Sequence, residues 1–464
     1  MLHLGSISIT SSIHEIGSSL QDGSVTSSEI TQFFIERIKQ IDPYLNSFIT
    51  ATSDLALASA KRSDRRIKAG RPASPIDGIP VSLKDNICTK NIQTTASSKV
   101  LAQHVPSDDA TVVRDLKQGG AVILGKTNMY EYAFSGPENE FAGRCRNPWN
   151  TDFITGGSSS GSAVSVAASL CMASLGTDTS GSVRIPSSLC GVSGFRPTPG
   201  LLDTRGIIPL SWGLDNYGIM TRHVQDIALI LDSLISASFH RDLGNGELEK
   251  VRIGIPHQYF LDLPSPEIKR AFQNAVKLLE AKGARLMEIS IPHSKEARIA
   301  CNTLIMAEAA NYHRENLARY ASSYQAETRK NLLRGARTKA TDYIQALRVR
   351  SYYSRIIGLA FQQGVDIIAT PTTPIPAYKF GKKNIRLSDG RTLPSKSTSW
   401  LTAPLSLTAS PSISIPCGFS SKGLPIGLQL LGRERQDSLV LQVANAYQKW
   451  SSWHLKVPTL DSHS

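Results

Sequence analysis

The sequence predicts an α/β fold, and three observations carry that reading. Short apolar runs of strand length alternate with stretches of helical periodicity through residue 232. Capping residues stand where the first helical stretches begin. The chain has 464 residues, 41% hydrophobic and 19% charged, enough to bury a large core.

In chain order, residues 11–40 read as two helices. Ser11 or Ser12 caps the first, which carries Ile13, Ile16 and Leu20, and Asp22-Gly23 makes the turn after it. Thr26 and Glu29 form a capping box for the second, whose Ile30, Phe33, Phe34 and Ile38 recur at helical spacing. Residues 76–83 are a strand candidate broken by Gly78 and Pro80. A helix is expected over 112–118, a short buried strand over 121–124, and a buried helix of small residues over 163–175. Residues 240–250 are polar and turn-rich. A strand follows at 251–255, then a long helical stretch to about residue 360. Residues 366–369 form a further strand candidate that runs into a Pro-rich loop, and 413–415 and 426–431 read as late strands. Residues 436–450 read as a closing helix. No internal repeat or long linker appears, so one domain is expected over 1–464, with its core at about 13–450.

Composition narrows the class. No apolar run reaches the roughly 18–20 residues of a membrane span. Lys plus Arg is 51 and Asp plus Glu is 38, a formal charge of +13. That balance fits an anionic partner such as nucleic acid, or simply a basic solvated surface. Positives thicken over 314–355, but no Lys/Arg block with interleaved aromatics marks a nucleic-acid site. Cys88, Cys145, Cys171, Cys190, Cys301 and Cys417 form no CxxC pair and no zinc-type spacing with His. Reduced, mostly buried thiols and an intracellular setting are expected. Residues 1–10 lack the features of a secretory or transit peptide.

The chemistry concentrates in residues 156–186, GGSSSGSAVSVAASLCMASLGTDTSGSVRIP. Two Gly/Ser clusters flank one apolar stretch. Small residues let backbone approach a ligand and free main-chain N–H groups to point into a pocket. A Gly-rich loop before a helix can instead cradle phosphate, but neither GxxxxGK[ST] nor a strand-borne GxGxxG is present. Upstream, Lys84 ends the apolar run IPVSLKDN. Such a lysine either reaches solvent along its stem or is buried, kept neutral by desolvation and able to act as a base. Ser–Lys pairs replace Ser–His in some hydrolases.

These three segments, IPVSLKDN, GGSSSGSA and GTDTSGSVRIP, resemble the motifs of the amidase signature family, and the likeness runs from about residue 13 to 450. The resemblance implies one large mixed β-sheet covered by helices on both faces. It implies a Ser–cis-Ser–Lys triad of Ser182 as nucleophile, Ser158 and Lys84. The backbone N–H groups of Thr179, Ser180, Gly181 and Ser182 would form the oxyanion hole, with no metal. Ser160 and Ser180 stand where the family has glycine.

Within the family the chain is most similar to the A-subunits of the glutamyl-tRNA(Gln) amidotransferases. The marks include TSSEITQFFIERI, TNMYEYAFSGPEN, ATPTTPIPAYKFG and SISIPCGF followed by GLPIGLQLLG. That likeness implies glutamine hydrolysis, with ammonia passed to a larger, tRNA-binding subunit that uses ATP and Mg2+, and a small third subunit. No cofactor is expected in this chain. A stand-alone amidase for another small or acyl amide is the nearest alternative, and an inactive structural subunit is another. The basic pI of about 9.4 points to a mitochondrial matrix, with bacterial cytoplasm as the alternative. The Asp and Arg that help hold glutamine in such subunits fall at Ser399 and near Lys330 or Asn331.

Overall fold

Helices begin where the capping signals place them in the computed structural model, which describes residues 3–4 and 7–460. The reading of residues 1–10 thus falls partly outside the described residues. The Ser12 hydroxyl accepts the Glu15 N–H and the Glu15 carboxylate reaches back to Ser12, opening the helix Ile13–Gln21. Thr26 and Glu29 do the same for Ser27–Leu45. Each box satisfies two N–H groups that a helix start leaves without partners.

Eleven strands form one mixed sheet. In spatial order they are Arg285–Ile289, Arg252–Pro256, Ile367–Pro371, Pro425–Gly432, Ser412–Phe419, Ser193–Arg196, Tyr217–Thr221, Ala173–Thr177, Pro80–Lys84, Val122–Thr127 and Phe48–Ala51. Pro80–Lys84 lies parallel to both of its neighbours, Ala173–Thr177 and Val122–Thr127. Their shared ends bring the Lys84 segment beside the loop after Thr177. Parallel strands sit between covered faces, and these three are buried at every position.

Alternate strand residues feed two cores. Ile367 and Ala369 join one apolar cluster with the helical residues Ile30, Ile227, Phe272 and Leu441. Ile368 joins the other, with Leu304, Leu332 and Tyr353. Successive side chains on a strand point to opposite faces, so helices cover both sides of the sheet. Among the described residues no helix is long and apolar enough to cross a membrane. All six cysteines are free; Cys88 is half-buried and the rest are buried.

Two sequence expectations fail. The apolar run 163–175 is not one helix: the helix Ser160–Ala167 stops, Ser169 turns left-handed at φ 53°, and Ala173–Thr177 continues as a central strand. Ala, Ser, Val and Leu satisfy both a buried helix and a buried strand, and the parallel pairing of Ala173–Leu175 with Val81–Leu83 decides it. The stretch from 255 to 360 is also interrupted, by the strand Arg285–Ile289 between the helices Pro266–Ala281 and Ser294–Tyr312. That strand is at the sheet edge and carries Arg285 and Glu288, so its pattern lacks an apolar run.

Candidate active site

Lys84 is the last residue of its strand and is completely buried. Its ammonium nitrogen lies 2.8 Å from Ser158 Oγ and 2.8 Å from Thr177 Oγ1, with the Thr177 carbonyl at 3.4 Å. Asn86 also donates to Thr177 Oγ1, at 3.2 Å, and so holds that acceptor in place. Burial pushes the Lys84 pKa down to about 7, against the opposing charges of Asp215 and Asp178. The solvent-reaching reading of this lysine is therefore excluded.

Ser158 follows a cis peptide bond after Gly157. Ser182 lies on the neighbouring loop, and its carbonyl accepts the Ser159 N–H at 3.1 Å, which fixes the two serine-bearing segments against each other. Both serines line one cavity of about 1010 Å³, together with Tyr130, Ser180, Asn331 and Ser399. A larger cleft of about 1290 Å³, lined by Arg270, Lys382, Arg386 and Trp453 among others, contains none of these groups. The convergent polar groups, rather than volume, single out the smaller cavity as the candidate site.

The loop carrying Ser182 is wrapped around a buried carboxylate. Asp178 accepts the Gly181 N–H at 2.8 Å and the Val183 N–H at 3.1 Å. Arg184 grips Asp178 with two nitrogens at 3.0 and 2.9 Å, and reaches Gln429 at 2.8 Å and Ser406 at 2.7 Å. Arg196 adds a second guanidinium at 3.5 Å. Burial alone would raise the Asp178 pKa, but the guanidiniums of Arg184 and Arg196 hold it down at about 2. Thr179 Oγ1 donates to Asp215 at 2.6 Å, tying the same loop to residues 210–215. Burial lifts the Asp215 carboxyl to about 6. Removing one member of a buried ion pair strands its partner. Arg184→Met is expected to destabilise the protein by about 3–5 kcal/mol, read as a lowered urea midpoint.

One expected oxyanion donor is corrected. The Gly181 N–H is already given to Asp178, whereas those of Thr179, Ser180 and Ser182 have no acceptor among the described residues, and Ser180 and Ser182 line the cavity. Gly181 itself cannot be replaced: its φ is +123°, and a Cβ there would sit 2.2 Å from Thr402 Oγ1. Ser180, in contrast, has no left-handed φ, so the family's glycine is dispensable at that position. Its carbonyl accepts from Thr402 Oγ1 at 2.7 Å. Ser160 opens the helix that follows the first cluster, and its hydroxyl donates to the Asn128 carbonyl at 3.3 Å.

The amidase family profile matches residues 29–441. The chain belongs to the amidase family. This amidase is 37% identical to the A-subunit of the glutamyl-tRNA(Gln) amidotransferase of Geobacter metallireducens, over 95% of this chain and 97% of that protein. Among solved structures, an s-triazine catabolic enzyme described with a vestigial protein complex superposes with a TM-score of 0.89 at 29% identity, covering 95% of this chain and 98% of that one. The A-subunit of the glutamyl-tRNA(Gln) amidotransferase of Thermotoga maritima superposes with a TM-score of 0.82 at 28% identity, covering 99% and 100%.

Of the residues aligned with glutamine-holding groups, Ser399 and Asn331 reach the cavity of this amidase, whereas Lys330 is exposed outside it. Asn331 donates to the Phe134 carbonyl at 3.0 Å. Arg334 and Arg337, part of the dense positive stretch, also line the cavity. The bracing groups Asp178, Arg196 and Asp215 were not singled out from sequence. A charged residue inside a Gly/Ser loop, as in GTDTSGS, is the one local signal for Asp178. A second buried lysine, Lys126, sits on the adjoining strand and donates to the Ile87 carbonyl and Thr94 Oγ1, both at 2.7 Å. Asp85 lies 3.6 Å away. Lys126 organises the loop after Lys84 and does not line the cavity.

Proposed function

We propose that this chain is the glutamine-hydrolysing subunit of a tRNA-dependent amidotransferase. The observation that carries the chemistry is the buried Lys84–Ser158 contact beside Ser182 at one cavity. With the Lys84 amine neutral, the proton runs from Ser158 to Lys84 along that contact, and Ser158 takes the proton of Ser182. Such hydrogen bonds often tighten only when substrate binds. Ser182 Oγ attacks the side-chain amide carbon, and the N–H groups of Thr179, Ser180 and Ser182 receive the oxyanion. Each well-placed donor is worth roughly 3–4 kcal/mol. The proton passes back to the leaving nitrogen, ammonia departs, and water hydrolyses the glutamyl ester to glutamate.

The named role of the Geobacter relative, and near-complete mutual coverage, support a partner-dependent reading. The ammonia then goes to a larger subunit that binds Glu-tRNA(Gln) and uses ATP and Mg2+, with a small third subunit in the complex. The bacterial source of that relative supports a bacterial cytoplasm over a mitochondrial matrix.

The chain purified from its native cell is expected to bring two further chains with it. Its glutaminase rate should rise at least about tenfold when Glu-tRNA(Gln) and ATP are added. A monomer that hydrolyses small amides without stimulation refutes this reading. It would establish the second one, a stand-alone amidase, which is favoured by Ser399 at the aspartate position.

A further inference from the structure

Arg298 stands in the cavity of Ser158 and Ser182 but has no part in the chemistry above. It comes from the second turn of the helix Ser294–Tyr312. Its guanidinium carbon lies 4.7 Å from the Trp400 ring centroid. Trp400 is held in turn by its carbonyl, which accepts from the Tyr259 hydroxyl at 2.9 Å. The Arg298 Nε is buried and has no hydrogen-bond partner among the described residues, while the guanidinium lies beside the Tyr259 hydroxyl. Two acids line the same cavity, Glu327, which pairs with Lys396 at 3.0 Å, and Asp342; neither forms an ion pair with Arg298.

A buried donor without an acceptor is costly in the free protein and favourable once an acceptor arrives. A guanidinium stacked on an aromatic ring is pre-organised to meet a planar carboxylate. Ser399, next to Trp400 and on the same cavity wall, supplies no opposing negative charge. We propose that Arg298, backed by Trp400, binds a carboxylate carried by the acyl part of the amide substrate, so that monoamides of short dicarboxylic acids are the preferred class. This rests on the reading of the cavity as an amide-hydrolysing site, and it holds whether or not a tRNA-dependent partner exists.

The test compares glutaramate, which has the carboxylate and no ammonium, with pentanamide, its uncharged analogue. The full chain is used together with any chains that co-purify. The wild type is expected to favour glutaramate in kcat/KM by at least about tenfold. Arg298→Met should raise the KM for glutaramate roughly 10–100-fold, the worth of one charge-assisted hydrogen bond, and leave its kcat and pentanamide hydrolysis unchanged. Arg298→Lys, which keeps a stem against Trp400 and a cation, should raise that KM only several-fold. It provides the reading if Arg298→Met does not fold, and an unchanged KM there counts against the assignment. A wild type with no preference overturns the proposal, as does a preference that survives Arg298→Met or disappears only in Arg334→Met or Arg337→Met. Absence of hydrolysis of both amides would instead remove the hydrolytic reading on which the proposal rests.

Discussion

Ser182→Ala is expected to lower glutamine-dependent activity by about 10⁴-fold or more, while the complex still uses free ammonia at its normal rate. The size follows from the behaviour of nucleophile, relay and base as one unit, so that loss of the nucleophile removes nearly the whole covalent route. The selectivity follows from geometry. Ser182 is buried on a loop whose shape is set by Asp178 and Arg184, not by its own hydroxyl. The alanine variant should therefore keep its fold and its partner. Two assays decide it: amide formation on Glu-tRNA(Gln) with glutamine as nitrogen donor, and with ammonium. Continued use of glutamine would show that the nucleophile lies elsewhere.

Lys84 carries the second large effect, and it is a pH effect. The amine works as a base only when neutral, and burial places its pKa at about 7. Below that value the neutral fraction falls tenfold per pH unit; above it the fraction saturates. The kcat/KM for amide hydrolysis is thus expected to climb with unit slope up to about pH 7 and level off by about pH 8. Lys84→Met should cost about 10²–10⁴-fold at the plateau, the usual worth of general base catalysis. It should also abolish the step at pH 7. The profiles are measured over pH 5–9 with the Ser182 protein in both backgrounds. A step that persists in Lys84→Met would assign the titration to another group, with Asp215 at about 6 the first to test.

The segments that meet at the cavity were readable in sequence because each is a short local motif. The groups in IPVSLKDN, GGSSSGSA and GTDTSGS depend on neighbours a few residues away for their backbone shape. What braces them was not readable. The Arg184 guanidinium meets Gln429 across 245 residues and Ser406 across 222, and nothing local at any of these positions announces the contact. The Gly181 N–H was misassigned for a related reason: the side chain that takes it, Asp178, is close in sequence, but its orientation is fixed by Arg184 and Arg196. Arg298 was invisible because an arginine in the early turns of a helix reads as a solvated residue until Trp400 is placed beside it. The strand Ala173–Thr177 was lost to a composition that suits either state, and only pairing with Pro80–Lys84 resolves it.

The Asp178–Arg184 brace also fixes the smallest piece of this protein that can work. Lys84, Ser158 and Ser182 all lie in the first two-fifths of the chain, which invites the idea of a compact catalytic fragment. Yet the loop that presents Ser182 is latched to Ser406 and Gln429, and its turn at Gly181 is closed by Thr402. A segment made 222–245 residues later is thus what locks the Ser182 loop. A ribosome-bound or prematurely ended chain would hold every reacting group and still have no shaped site. Hydrolysis is in this sense postponed until the strand carrying Gln429 has been made and has joined the sheet.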